Sequence, residues 1–343
     1  MSRFSIIVPT FNSARYIQEC INSILAQTVK DFTIHIVDSG STDTAFLDWI
    51  RSLQDARIVI YTAERRYSIE ENWKRITGFP KNEFMTILGH DDVLAPGYLQ
   101  EMTALIDRYP DASLYLTAYS YIDKDSRFIR KSLPLPQVMS GPLFIQYFLN
   151  NKIEINATGY LMRSKDYESV GGIPQYPNLL NADSELWMRL TLKGYLAVSQ
   201  ANTFSFREHQ SVSGTSADIV FHNALKQFTG FLLSIKKQTP ELDEVITQHS
   251  QGYLLAYCLD FSHRLIRKKL RDRHYLSVNK LIKDCRKLSE QLSPGTPFEP
   301  LKIKSLLIAK WIDSNIFSRT YFRLLRKIYS GPLIKRPENF GNH

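Results

Sequence analysis

Cysteine is scarce: Cys20, Cys258 and Cys285 are the only three in 343 residues, and they lie far apart. None has a Cys or His at metal-ligand spacing, which argues against a disulfide scaffold and a structural zinc site and favours a reducing compartment. No apolar run approaches the roughly 20 residues needed to span a bilayer. The longest late stretch, Leu306 to Ile312, is interrupted by Lys310. The apolar run Phe4 to Val8 is broken by Pro9, Asn12 and Ser13, too soon for a signal-peptide core, so no cleavable export signal is expected. Fifteen Gly and fifteen Pro without a tandem period disfavour collagen-like, solenoid and low-complexity architectures. The first turn carries neither GxGxxG nor GxxxxGK[ST], which weighs against a dinucleotide dehydrogenase or a P-loop NTPase.

What is present is an ordinary globular composition, 43% apolar and 22% charged, with a formal charge of +9. That charge is unevenly placed. Residues 1–220 hold 21 Lys+Arg and 24 Asp+Glu, whereas residues 221–343 hold 22 and 10. Such asymmetry predicts a near-neutral zone followed by one that faces an anionic partner.

The first zone alternates strands with helices. FSIIV (4–8), FTIHIV (32–37), RIVIY (57–61), FMTIL (84–88) and SLYLTA (113–118) are short apolar runs with β-branched residues. Between them, Ile17, Cys20, Ile21, Ile24 and Leu25 recur at helical spacing, a second helix is expected over 44–53, and Pro96 precedes a third over 98–108. Alternation of this kind predicts a parallel α/β sheet. Ligands of such sheets bind at the carboxyl ends of the strands. That rim is where PTFN, DSGSTD and GHDD fall.

Asp91 and Asp92, side by side at a strand end, repel one another unless a cation neutralises them. Hard oxygen ligands suit Mg²⁺ or Mn²⁺, which commonly bridge carboxylates to substrate phosphates. A solvated turn with Asp91 capping the next helix is the simpler alternative. Further along, NADSELWMRLTLKGY (181–195) reads as a helix with Asp183 and Glu185 in its first turn. The helix dipole alone favours acids there. One of them facing the cleft would serve as a general base. The strand TFSFR (203–207) ends on Arg207, followed by Glu208 and His209. Trp73 and Trp187 are expected in the core, and Tyr67 and Tyr176 as acceptor contacts.

Six segments in order, SIIVPTFNSARYIQECINSILAQT (5–28), IHIVDSGSTDT (34–44), RYSIEENWKRI (66–76), FMTILGHDDVLAPGYL (84–99), ADSELWMRLTLKGY (182–195) and FREHQSVSG (206–214), resemble the family-2 glycosyltransferases. The resemblance implies a GT-A-like α/β fold, a mostly parallel sheet flanked by helices, with a C-terminal helical extension. It implies residues 1–220 as the glycosyltransferase domain, 1–118 its nucleotide-binding half and 119–220 its acceptor half. Residues 221–343 would form the basic helical region. Pro9, Thr10 and Asn12 would line the nucleotide pocket, with Asp38 on the base or ribose and Asp43 in the loop behind. Asp91 and Asp92 match the family's DxD-like motif, with Asp92 as direct ligand to Mn²⁺ or Mg²⁺ and Asp91 and Arg207 on the nucleotide-sugar side. His209 matches a histidine that approaches the metal or diphosphate. Asp183 falls on the aspartate of the Glu-Asp motif as catalytic base, with Glu185 as second candidate because Ala182 replaces the usual glutamate.

The implied reaction moves one sugar from a UDP- or dTDP-sugar to a hydroxyl of a glycan or lipid-linked acceptor, with inversion, in the making of a bacterial cell-surface glycan such as lipopolysaccharide or capsule. A catalytically inactive nucleotide-sugar or glycan-binding relative is the alternative. A processive synthase is disfavoured, since neither spanning helices nor a QxxRW-type motif occur. Hydrolysis of glycosides needs carboxylates about 5 Å or more apart, which neighbouring Asp91 and Asp92 do not suit.

Beyond residue 220 the pattern is helical. Val278, Leu281, Ile282, Cys285, Leu288 and Leu292 make one apolar face with Lys and Arg between them, and KSLLIAKWI and YFRLLRKIY follow PGTP (294–297). Basic residues beside Trp, Phe and Leu suit an anionic membrane surface. A cap on the catalytic domain or a dimer contact are alternatives. Nothing resembling a nucleic-acid-binding motif accompanies the charge. The expected location is cytoplasmic, peripheral to the inner face of the cell membrane.

Overall fold

The computed structural model describes residues 2–208, 215–268 and 276–328. The chain divides into two compact units, residues 1–144 with 153–214, and residues 145–152 with 215–343.

The first unit is built on a sheet of ten strands among the described residues. Its strands are β1 (Phe4–Thr10), β2 (Phe32–Asp38), β3 (Ile58–Tyr61), β4 (Phe84–Ile87), β5 (Val93–Leu94), β6 (Leu114–Ile122), β7 (Phe128–Lys131), β8 (Val138–Ser140), β9 (Leu161–Arg163) and β10 (Tyr195–Arg207). Every residue of β1 is buried, as expected of a strand covered on both faces. The order along the sheet is β3-β2-β1-β4-β9-β6-β10-β5. β1, β2, β3 and β4 run parallel, as the alternation predicts. β9 is antiparallel to both β4 and β6, and β10 returns parallel to β6, so the sheet is mixed. With β9 reversed between them, β4 and β6 run the same way, so β4, β6 and β10 end on the same rim as β1 and β2, while the short strands β5, β7 and β8 pair antiparallel at the margin.

Helices α1 (Ile17–Leu25), α2 (Ala45–Ser52), α3 (Ile69–Arg75), α4 (Tyr98–Arg108), α5 (Gly141–Leu149), α6 (Ser164–Ser169) and α7 (Ala182–Lys193) connect these strands. On α1 the residues at helical spacing, Ile17, Cys20, Ile21 and Ile24, are all buried. α3 starts at a capping box in which the Ser68 hydroxyl accepts from the Glu71 N–H and the Glu71 carboxylate accepts from the Ser68 N–H.

The second unit is helical, with α8 (Asp218–Lys236), α9 (Pro240–Arg267), α10 (Val278–Leu292), α11 (Lys304–Ser314) and α12 (Ile316–Ile328). The expected apolar face of α10 is buried at Val278, Leu281, Ile282, Cys285 and Leu292. Charged clamps hold the bundle. Buried Asp218 accepts from Arg264 at 2.8 Å and from Lys268 at 2.6 Å. Buried Arg319 on α12 pairs with Asp313 on α11 and donates to the Lys268 carbonyl at the end of α9. No helix among the described residues is long and apolar enough to cross a membrane.

Candidate active site

The rim carries two adjoining cavities, both within the first unit. The larger, about 530 Å³, is lined by Pro9, Thr10 and Phe11 after β1, Ser39 after β2, Arg66, Tyr67, Ile69 and Trp73 at α3, and His90 after β4. The smaller, about 310 Å³, is lined by Asp183 and Ser184 at the start of α7. Ile69, Trp73 and Asn178 border both. Trp73 is therefore a wall of the site, contrary to its expected place in the core. Ile69 and Trp73, four apart on a helix whose start is fixed by its cap, face the same way.

Each polar cluster is held open by its own side chains. The turn after β2 closes on Asp38, whose carboxylate accepts from the Gly40 N–H at 2.9 Å, the Ser41 N–H at 3.0 Å, the Ser41 hydroxyl at 2.5 Å and the Thr10 hydroxyl at 3.3 Å. Gly40 is required there: its φ is +85°, and a Cβ would lie 2.7 Å from the Arg65 carbonyl oxygen. The Asp38 oxygens serve the turn, and Ser39 rather than Asp38 lines the larger cavity. Asn12, exposed, ties two loops together, its amide oxygen accepting from the Thr42 and Asp43 N–H groups. Asp43, also exposed, accepts from the Ala45 N–H at the start of α2. Neither Asn12 nor Asp43 lines either cavity.

At the end of β4 the two aspartates differ. Asp92 is 1% exposed, and its carboxylate accepts from the Thr158 hydroxyl at 2.6 Å and the Arg207 N–H at 3.0 Å. Burial first, and then the Asp91 charge, push its carboxyl up to about 8 against those hydrogen bonds. Asp91 is half-buried. A Cβ at Gly89 would lie 2.7 Å from an oxygen of each carboxylate, so the two acids converge on the space that the glycine leaves. This cradle of hard oxygens fits a divalent cation. Asp92 is the more buried of the pair and already accepts from two donors. No group of three or more His, Cys, Asp or Glu is arranged for a metal among the described residues, and His209 lies outside them.

Arg207 lines neither cavity. Its buried guanidinium donates to the Asp91 carbonyl at 2.7 Å, the Asp123 carbonyl at 3.0 Å, the Ser126 hydroxyl at 2.8 Å and the Glu19 carboxylate at 2.7 Å, and it stacks on Tyr16. It latches the acidic turn to α1 and to the β6–β7 hairpin. Thr158, the other half of this latch, carries no motif and was not foreseen.

Asp183 accepts from the Ser184 N–H at 2.8 Å and is pushed up to about 6 by burial. The segment before it is unusual: Asn178, Leu179 and Asn181 have φ of 52°, 54° and 67°. A branched side chain such as Leu179 rarely takes that conformation, and such strain concentrates at functional sites. Glu185, by contrast, is buried and bound to the Tyr176 hydroxyl and to Arg189 at 2.8 Å, facing neither cavity. Tyr176 is likewise buried and lines neither cavity. Trp187 is core as expected, donating to the Asn156 carbonyl at 3.0 Å and stacked on Tyr160.

The fold and rim define a class, the GT-A-like α/β domains with acidic residues at the strand ends. The family described as Glycosyl transferase family 2 matches residues 5–171. An uncharacterized glycosyltransferase of Rickettsia conorii is 26% identical over 198 residues, 54% of this chain and 31% of its own length. Glycosyltransferase GlyG of Streptococcus pneumoniae is 28% identical over 131 residues, 36% of this chain and 42% of its own length. The chain thus spans less than half of these relatives. Crystal structures of S. aureus TarS 1–349 with UDP-GlcNAc and with UDP share the fold. Their TM-scores are 0.67 and 0.66 at 18% identity, over 96% and 95% of this chain and 91% and 92% of theirs. Residues 5–171 thus match glycosyltransferase family 2, and the chain has a GT-A-like fold with C-terminal helices.

Proposed function

We propose that the first unit transfers a sugar from a nucleoside diphosphate-sugar to a hydroxyl of a glycan or lipid-linked glycan acceptor, with inversion. The observation that carries this reading is the pair of adjoining cavities on the carboxyl rim, one bordered by His90 next to Asp91 and Asp92 in the chain and one bordered by Asp183. The nucleotide lies in the larger cavity against Pro9, Thr10, Ser39 and Tyr67, with the diphosphate toward Asp91. UDP-sugars are the first donors to try, since the TarS structure that shares this fold holds UDP-GlcNAc.

Asp183 is the base. Its carboxylate takes the acceptor hydroxyl proton as that oxygen attacks the anomeric carbon; the bond from that carbon to the diphosphate oxygen breaks on the opposite face, and the nucleoside diphosphate leaves. Asp91 and Asp92 would hold a divalent cation, Mn²⁺ or Mg²⁺, which would neutralise charge on the leaving group. Arg207 and Thr158 keep both acids in place, and Trp73 separates the nucleotide side from the acceptor side.

The test is nucleotide release across a panel of donors with Mn²⁺, for the parent, Asp183→Asn and Glu185→Gln. Asp183→Asn is expected to lose about 10²- to 10⁴-fold in turnover with donor affinity kept. A comparable loss in a folded Glu185→Gln enzyme, with Asp183→Asn active, would move the base.

A further inference from the structure

The two last helices of the second unit each bury one face and expose an apolar other. On α11, Leu306, Ala309 and Ile312 are buried while Leu307, Ile308 and Trp311 are exposed, Trp311 by 60%. On α12, Ser318, Arg319 and Phe322 are buried while Phe317, Tyr321 and Leu324 are exposed, Phe317 by 83%. Phe317, Tyr321 and Leu324 follow one another at the i, i+4, i+7 spacing of a single helical face. The short break between the helices is fixed by Asn315, whose side-chain oxygen accepts from the Ser318 N–H at 2.9 Å, and Ile316 beside it is exposed as well. Large exposed apolar faces of this kind mark an interaction surface.

The charge around them selects the occupant. Residues 301–328 contain Lys302, Lys304, Lys310, Arg319, Arg323, Arg326 and Lys327 against one acid, Asp313. Asp313 is turned inward, paired with buried Arg319 and accepting from the Val278 N–H at 2.7 Å. The stretch therefore offers its surroundings cations, apolar side chains and two amphipathic rings, Trp311 and Tyr321. A second copy would bring the same positive charge to the contact and be repelled. From this complementarity we infer that α11 and α12 dock on an anionic phospholipid surface, with Leu307, Trp311, Phe317, Tyr321 and Leu324 entering the headgroup boundary and Lys304, Lys310 and Arg323 meeting lipid phosphates. This surface stands independently of the chemistry proposed for the first unit.

Vesicle co-sedimentation of the full chain tests it, using phosphatidylcholine alone and with about 30% phosphatidylglycerol, at about 50 and about 300 mM NaCl. The protein is expected to sediment with the anionic vesicles at low salt, to bind at least about tenfold less at high salt, and to leave neutral vesicles in the supernatant without it. Trp311→Gln with Phe317→Gln is expected to lower binding about tenfold while the melting temperature holds, since both side chains are exposed. Leu324→Gln serves as a second variant should the first not fold. Equal binding to neutral vesicles, equal binding by the folded variants, or no binding by the parent would overturn the inference. So would a concentration-dependent dimer that these substitutions dissolve, because the occupant would then be a second copy.

Discussion

Buried acids serve opposite ends in the two units. In the helical unit, Asp218, Asp284 and Asp313 each meet a cationic side chain: Arg264 and Lys268 for the first, Lys226 for the second, which also pairs with the His222 imidazole, and Arg319 for the third. Burial alone would raise Asp284, but the hydrogen bonds from His222 and Lys226 and the nearby ammonium charges outweigh it and hold the carboxyl at about 2. In the sheet unit, Asp92 is fully buried and meets a hydroxyl, a backbone N–H and another acid; burial and that acid outweigh the nearby Arg207 charge, and it rises to about 8. Asp183 likewise has backbone and hydroxyl donors but no cation and rises to about 6. An acid already matched by a cation holds structure together. An acid raised by burial at a cavity is prepared to take a charge or a proton from a ligand.

The largest effect expected of this difference is on rate. A base raised to about 6 is active only as carboxylate, so log(kcat/KM) should climb with unit slope up to pH 6 and level off above it. Two pH units below that point the rate is lower by about a hundredfold. Steady-state rates at saturating Mn²⁺ check this, and a profile flat from pH 5 to 8 would break the contrast.

Next is the latch. Thr158→Val takes one donor from the buried Asp92 carboxylate and should cost about 1 to 3 kcal/mol in unfolding free energy by denaturant titration, while weakening nucleotide binding. Nucleotide affinity unchanged in this variant would separate Asp92 from the site.

A smaller effect should appear in the helical unit. Asp284 is depressed when folded, so its stabilisation is present above its ordinary value near 4 and disappears as pH falls through about 2. Asp284→Asn should therefore cost about 1 to 2 kcal/mol at pH 7 and nothing below pH 2, with turnover per folded molecule unaltered. A change in turnover would mean that this clamp is more than structural.

The parallel half of the sheet was legible because β1, β2 and β4 are continuous apolar runs and α1 keeps helical spacing on its buried face. The rim followed from topology; Asp183 borders one of its cavities, and His90, next to Asp91 and Asp92, borders the other. β9 was hidden, since a three-residue strand, Leu161–Arg163, leaves no periodicity to read. Asp38 and Arg207 show another limit of sequence: a polar residue at a strand end can address a ligand or its own turn, and only the hydrogen bonds distinguish the two. Trp73 could have been found. Ser68 and Glu71 spell a capping box, which fixes the phase of α3 and sets Ile69 and Trp73 on one face.

The central claim is that the strand-end acids of the first unit await a cation and a nucleoside diphosphate. Calorimetric titration of UDP and UDP-sugars into the full chain, with Mn²⁺ and with EDTA, tests it directly. Binding should strengthen at least about tenfold with Mn²⁺, and Asp91→Ala should abolish that gain. Equal affinity with Mn²⁺ and with EDTA, or a gain that survives Asp91→Ala, would contradict it.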